Sequence, residues 1–106
     1  MTQMIERIIL AIPHDNLSEE QVNAAVESGR TLIAAIPGVE LISFGIADRS
    51  DVSHPWYVRI RFRDAEALQV YETHPNHINF GMQLWLPIIK EQITIDYRIQ
   101  YDTSLK

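Results

Sequence analysis

Cysteine is absent from this 106-residue chain. That excludes disulfides, thiolate nucleophiles and cysteine-ligated zinc, and it fits a reducing compartment. Basic residues are in deficit. Nine Lys and Arg against fourteen Asp and Glu leave a formal charge of -5, a balance that argues against nucleic acid as a main partner. The one basic run, Arg59, Arg61 and Arg63, recurs at every second residue and reads as one face of a strand. Long apolar runs are also missing. Ile8 to Ile12 spans five residues, far short of the roughly 18–20 that a membrane helix needs. Glu6 and Arg7 just before it do not suit a signal peptide, so a cytoplasmic protein without a membrane partner is expected. No glycine-rich phosphate loop, Gly-x-Ser-x-Gly turn or nucleotide fingerprint occurs. Repeats, linkers and low-complexity segments are lacking as well. What remains is one domain, residues 1–106, whose 46% hydrophobic and 22% charged residues suit a single globular core.

Hydrophobic periodicity divides that domain into elements. Ile5 to Ile12, closed by Pro13, reads as a strand buried on both faces. Leu17-Ser18-Glu19-Glu20-Gln21-Val22 is a helix start: Ser18 can cap the Gln21 amide, Gln21 can reach back, and Leu17 can staple to Val22. Val22, Ala25, Val26, Gly29, Leu32, Ile33 and Ile36 then recur at helical spacing up to Pro37-Gly38. Val39 to Ala47 reads as a strand, with Gly45 marking a bulge or a close backbone approach. After a polar loop, Asp48 to Pro55, the residues Trp56, Val58, Ile60 and Phe62 alternate with Tyr57, Arg59, Arg61 and Arg63. The first set is expected to face the helices and the second set to face away. Asp64 is a plausible cap for a helix through Ala67, Leu68 and Tyr71. A second helical segment runs from Pro75 to about Trp85, Pro87 breaks it, and residues 88–91 are read as one more turn. The final strand is Ile93 to Ile99. The order strand, helix, strand, strand, helix, strand predicts an α+β fold with a four-stranded antiparallel sheet and helices on one face. The other face carries Tyr57, Ile93 or its neighbours and more apolar side chains, which suits face-to-face homodimerisation.

Chemistry concentrates in Tyr71-Glu-Thr-His74-Pro75-Asn76-His77-Ile-Asn-Phe80, which holds two of the four histidines. Pro75 separates the two imidazoles, so one helix ends near Thr73 and another begins at the proline. Groups beside such a break can converge on a cleft, and imidazole and phenol are suited to proton transfer near neutral pH. Trp85, Phe80, Met82, Leu84 and Leu86 could form an apolar pocket roof or plain core. His74, beside its proline, reads first as a helix cap. A metal on His74, His77 and Asp96 has no signature motif behind it, so neither a metal nor another cofactor is expected.

The motifs Pro37-Gly38-Val39, Gly45, Phe62, Asp64, Ala67-Leu68, Tyr71, His74-Pro75, His77, Phe80 and Asp96 together resemble the stress-responsive A/B barrel family. The resemblance covers nearly the whole chain, and Tyr-x-x-His-Pro-x-His is its most specific part. It implies a ferredoxin-like protomer and a dimeric α/β barrel. It also implies a pocket inside each protomer for a small apolar or aromatic ligand. Many members have no assigned activity and some are linked to stress tolerance. A plant branch cyclises linear polyketides by aldol condensation without a metal or organic cofactor. Carried over by residue, Tyr71 becomes the acid or oxyanion donor, His77 the base and Asp96 the carboxylate that orients His77. Arg7 and Trp56 stand where the cyclases have further pocket histidines, a departure that puts the same substrate in doubt. Arg7, Trp56, His74, Phe80 and Trp85 are the expected ligand contacts. Cyclase-like or lyase-like chemistry on a carbonyl compound is one reading and a non-catalytic stress-tolerance or binding protein another. Monooxygenase-like chemistry on the same fold ranks below both.

Overall fold

The computed structural model describes residues 3–103. The apolar, β-branched beginning of the chain forms strand β1, Ile5–Pro13. Ser18 opens helix α1, Glu19–Ser28. Its hydroxyl accepts from the Gln21 amide at 3.1 Å, while the Gln21 side chain accepts from the Ser18 amide at 2.9 Å. Leu17 and Val22 flank this reciprocal cap and pack on the core beneath it. The regular helix expected up to Ile36 stops early, and the backbone widens into a π-helical turn, Gly29–Ile33. A β-carbon at Gly29 would sit 3.3 Å from the Phe80 ring. Glycine there lets the two helical segments touch.

Strands β2, Val39–Ile46, and β3, Trp56–Phe62, form the next pair. Asp64 accepts from the Ala67 amide at 2.8 Å and so starts α2, Ala65–Thr73. Pro75 starts α3, Pro75–Phe80, followed by a second π-helical turn, Gly81–Trp85, and a 3₁₀ turn, Leu86–Ile88. Pro87 ends the helical stretch sooner than expected. Strand β4 therefore runs Ile89–Arg98, and residues 89–91, expected in a turn, belong to the sheet.

The four strands lie in the order β2-β3-β1-β4 with antiparallel neighbours. This is the ferredoxin-like split β-α-β arrangement. On β3 the predicted phase holds: Trp56, Ile60 and Phe62 are 7%, 2% and 0% exposed. On β4 the alternation is inverted relative to β3, in keeping with the expected place of Ile93 on the outer face. Arg7, Ile9 and Ala11 pair with Asp96, Thr94 and Gln92, so the polar members of β4 share the helix-covered face. Ile93, Ile95 and Tyr97 remain 44%, 44% and 52% exposed. Leu10 and Tyr57 are exposed on that same outer face. Tyr57 lies across Gly45, where a β-carbon would collide with its ring. The close approach read from Gly45 is therefore present, and the irregularities in the ladder fall instead at Val39/Leu41 and Ile12/Pro13.

Candidate functional site

The core divides into two clusters. One gathers Ile33, Ile36, Phe62 and Tyr71, the other Ala11, Ala25, Trp56 and Trp85, and Val58 and Phe80 pack on both. At their seam, between sheet and helices, lies a cavity of about 230 Å³. Ile9, Ile42, Phe44, Val58 and Ile60 line it from the sheet. Ala25, Val26, Gly29, Ile33, Phe80, Gly81 and Trp85 line it from the helical layer. Both π-helical turns contribute to the wall, a backbone form frequent at functional sites. A dry engineered cavity of about 150 Å³ accepts benzene. The space here suits one ring with short substituents.

Tyr71, His77 and Arg7 supply polar groups to this largely apolar wall. The Asp64 cap sets the phase of α2 so that Ala67 and Tyr71 are the residues it buries. His74 ends α2 and caps α3, its Nδ1 accepting from the Asn76 amide at 3.0 Å. One turn later His77 stacks on Tyr71, with ring centroids 4.0 Å apart at 26°. Phe62 meets the Tyr71 ring edge-on at 4.9 Å. Burial, partly opposed by the Arg7 cation, pushes the Tyr71 phenol up to about 12. At neutral pH the group is therefore a hydrogen-bond donor rather than a base.

Arg7 is held on two sides. Its Nε and one terminal nitrogen donate to the Asp96 carboxylate at 2.8 and 3.0 Å, and that terminal nitrogen also donates to Glu72 at 2.7 Å. The guanidinium sits 5.6 Å from the centre of the Tyr71 ring. The Asp96 bonds, opposed by partial burial and reinforced by Glu72, raise its pKa above the ordinary arginine value. Arg7 is a permanent cation, yet two carboxylates already face it.

Five expected site residues share the cavity: Arg7, Tyr71, His77, Phe80 and Trp85. Three others are placed differently. Asp96 bonds Arg7 and not His77, because Arg7 and Asp96 are direct partners across the β1–β4 ladder and meet within the sheet. His77 Nδ1 is shielded and has no hydrogen-bond partner among the described residues. His74 lies outside the cavity wall, its ring nitrogen engaged in the cap. Trp56 is buried beside the wall, edge-on to Phe44 at 5.3 Å and 6.1 Å from Trp85. Among the described residues no three His, Asp or Glu side chains are grouped to hold a metal ion, and no helix is long and apolar enough to cross a membrane.

Reading the sequence missed Glu72, Gln92 and Thr94. Glu72 gives no signal beyond its place next to Tyr71. Gln92 and Thr94 did: once Asp96 is assigned to the inner face, period two carries both of them there.

No curated protein matches the sequence. Solved structures do match the fold. A Dabb family protein with a ferredoxin-like fold from Mesorhizobium loti superposes with a TM-score of 0.81 at 19% identity, covering 93% of this chain and 99% of that one. A dimeric ferredoxin-like protein of unknown function from Thermobifida fusca gives 0.79 at 21% identity, covering 93% of each chain. A hydroxynitrile lyase from Passiflora edulis gives 0.82 at 14% identity, covering 98% of this chain and 100% of that one. These likenesses establish the fold, and the sequence itself goes further: residues 5–99 match the model of the stress responsive A/B barrel domain, and the chain belongs to that family.

Proposed function

We propose that this protein is a homodimer that binds a small apolar or aromatic carbonyl compound within each protomer and acts on it by cofactor-free proton transfer. The observation that carries the reading is the placement of His77 and Tyr71, stacked at 4.0 Å on the wall of a largely apolar cavity. His77 serves as base toward a proton beside the carbonyl. Tyr71, a protonated phenol at neutral pH, donates to the oxygen that gains charge as that proton leaves. The lyase described among the structural relatives is compatible with chemistry on this scaffold, although fold alone carries no activity. The homodimer is supported by the relatives described as dimeric and by the exposed apolar face of β1 and β4.

A second reading has its own support. Among the described residues no carboxylate bonds His77, since Arg7 takes Asp96. A binding protein without turnover needs no such partner. One experiment separates the two. Aromatic ketones and β-diketones are titrated into ¹⁵N-labelled protein, compounds that shift Tyr71 and His77 are assayed for turnover, and the assay is repeated with His77→Ala. The catalytic reading expects turnover that falls by about 10²–10⁴ in the variant with an unchanged melting temperature. Turnover that survives the substitution rejects it, and binding without turnover supports the second reading.

A further inference from the structure

The inner face of β4 gives the cavity an unexpected chemistry. Gln92 and Thr94 line it where Leu86 and Arg30 form an exposed mouth. Gln92 is held in one orientation. The indole nitrogen of Trp85 donates to Gln92 Oε1 at 2.7 Å, and an indole nitrogen can only donate. The amide oxygen is therefore committed to Trp85, and the amide nitrogen is left with two hydrogens to offer. At the other end of the same strand face, Asp96 and Glu72 outnumber Arg7, the one cation they share.

Resting on the ligand reading above, we infer that Gln92 is a specificity-determining donor, and that the ligand is a neutral one-ring compound carrying a second hydrogen-bond acceptor, such as a carbonyl oxygen, remote from its reacting end. A donor-presenting amide rewards an acceptor and gives nothing to an alkyl group. Arg7 is already paired with two carboxylates and Arg30, at the mouth, with Glu27 at 3.4 Å, so an anionic group would have to compete for either cation. Thr94 lies one inward position along β4 from Gln92, toward Asp96. A strand rise of about 3.4 Å per residue puts neighbouring inward positions about 7 Å apart. The polar positions are thus spaced on the scale of a substituted ring.

The test uses an isosteric pair of probes, 1,4-diacetylbenzene and 4-isopropylacetophenone, with affinities read from side-chain and backbone shifts in ¹⁵N-labelled protein. The wild type is expected to prefer the diketone by about three- to tenfold, the range of one net hydrogen bond. Gln92→Leu removes the donor and should bring the two affinities within about twofold of each other. Gln92→Glu keeps an acceptor for the Trp85 indole but offers the ligand no donor, so the diketone should lose more than the isopropyl compound does. An undiminished preference in both variants, with shifts still centred on Tyr71 and His77, overturns the Gln92 subsite and leaves the cavity reading intact. If neither probe shifts Tyr71 or His77 in any form of the protein, the cavity reading falls and the subsite with it.

Discussion

Strands β3 and β4 both alternate apolar and polar residues, and they turn that alternation in opposite directions. In β3, Trp56, Ile60 and Phe62 lie under the helices, while Tyr57 is exposed on the outer face. In β4 Ile93 and Ile95 are exposed on the outer face, and Gln92 and Thr94 line the cavity. The difference follows from what covers each strand. β3 is an interior strand of the sheet, and its inner residues belong to the packed core. β4 is an edge strand, its inner face opens onto the cavity mouth, and Arg7 on the neighbouring strand draws Asp96 inward. Apolar burial sets the phase of β3. On β4 the Arg7–Asp96 ion pair and the cavity take the polar residues on one side, and the apolar residues are left exposed on the other.

Substitutions can break this contrast in order of expected size. Phe62→Ala, at a fully buried β3 position, should lose about 3–5 kcal/mol of stability in urea melts. A loss below about 1 kcal/mol means that β3 is not the packed strand described. Ile95→Lys, on the outer face of β4, should weaken the proposed dimer by about a hundredfold in sedimentation equilibrium. A twofold dimer carries the new charge twice, and like charges brought together cost several kcal/mol. An unchanged association constant places the dimer contact elsewhere.

Between the two strands stands Tyr71, whose ring rests on Phe62 of β3. Its folded pKa of about 12 lies above the ordinary 10.0, so the folded state holds the phenolic proton more tightly than the unfolded chain does. The stability this contributes is complete below pH 10 and is lost as pH rises toward 12. Over that window the wild type should fall by roughly 2–3 kcal/mol relative to Tyr71→Phe. Parallel profiles for the two proteins mean that the hydroxyl is not buried as described. The smallest effect is expected for Thr94→Val on the inner face of β4. Its stability should change by less than about 0.5 kcal/mol, since Thr94 lines an open cavity and fills no packed space. A loss as large as that at Phe62 abolishes the contrast between the strands.

Much of the candidate site was legible beforehand, and the reasons are local. The Ser18–Gln21 box, the Asp64 cap and the break at Pro75 each depend on residues no more than three apart. Their chemistry is written in adjacent side chains. The stacking of His77 on Tyr71 follows from the same break, and the helix-facing set on β3 follows from simple alternation. The partner of Asp96 was a different kind of question. Arg7 and His77 were both within conceivable reach, and sequence spacing does not rank them. Strand register does, since it pairs Arg7 with Asp96 across 89 positions of chain. Trp56 and His74 lie off the cavity wall for a similar reason, although the cap read for His74 is present. An aromatic residue beside a cavity and one lining it have the same local pattern, and a histidine that caps a helix has spent its ring nitrogen on the backbone.

By itself, the sequence determined the element order, the caps, the helix break that brings phenol and imidazole together, and family membership. These depend on periodicity and on contacts within a few residues, where chain connectivity already limits the geometry. The tertiary structure alone decided that Arg7 takes Asp96, that Trp85 takes Gln92, and that the helices widen beside the cavity. Each of these depends on which of two faces, or which of several distant partners, loses its water first. A period of two names both faces of a strand equally, and only packing against the rest of the molecule chooses between them.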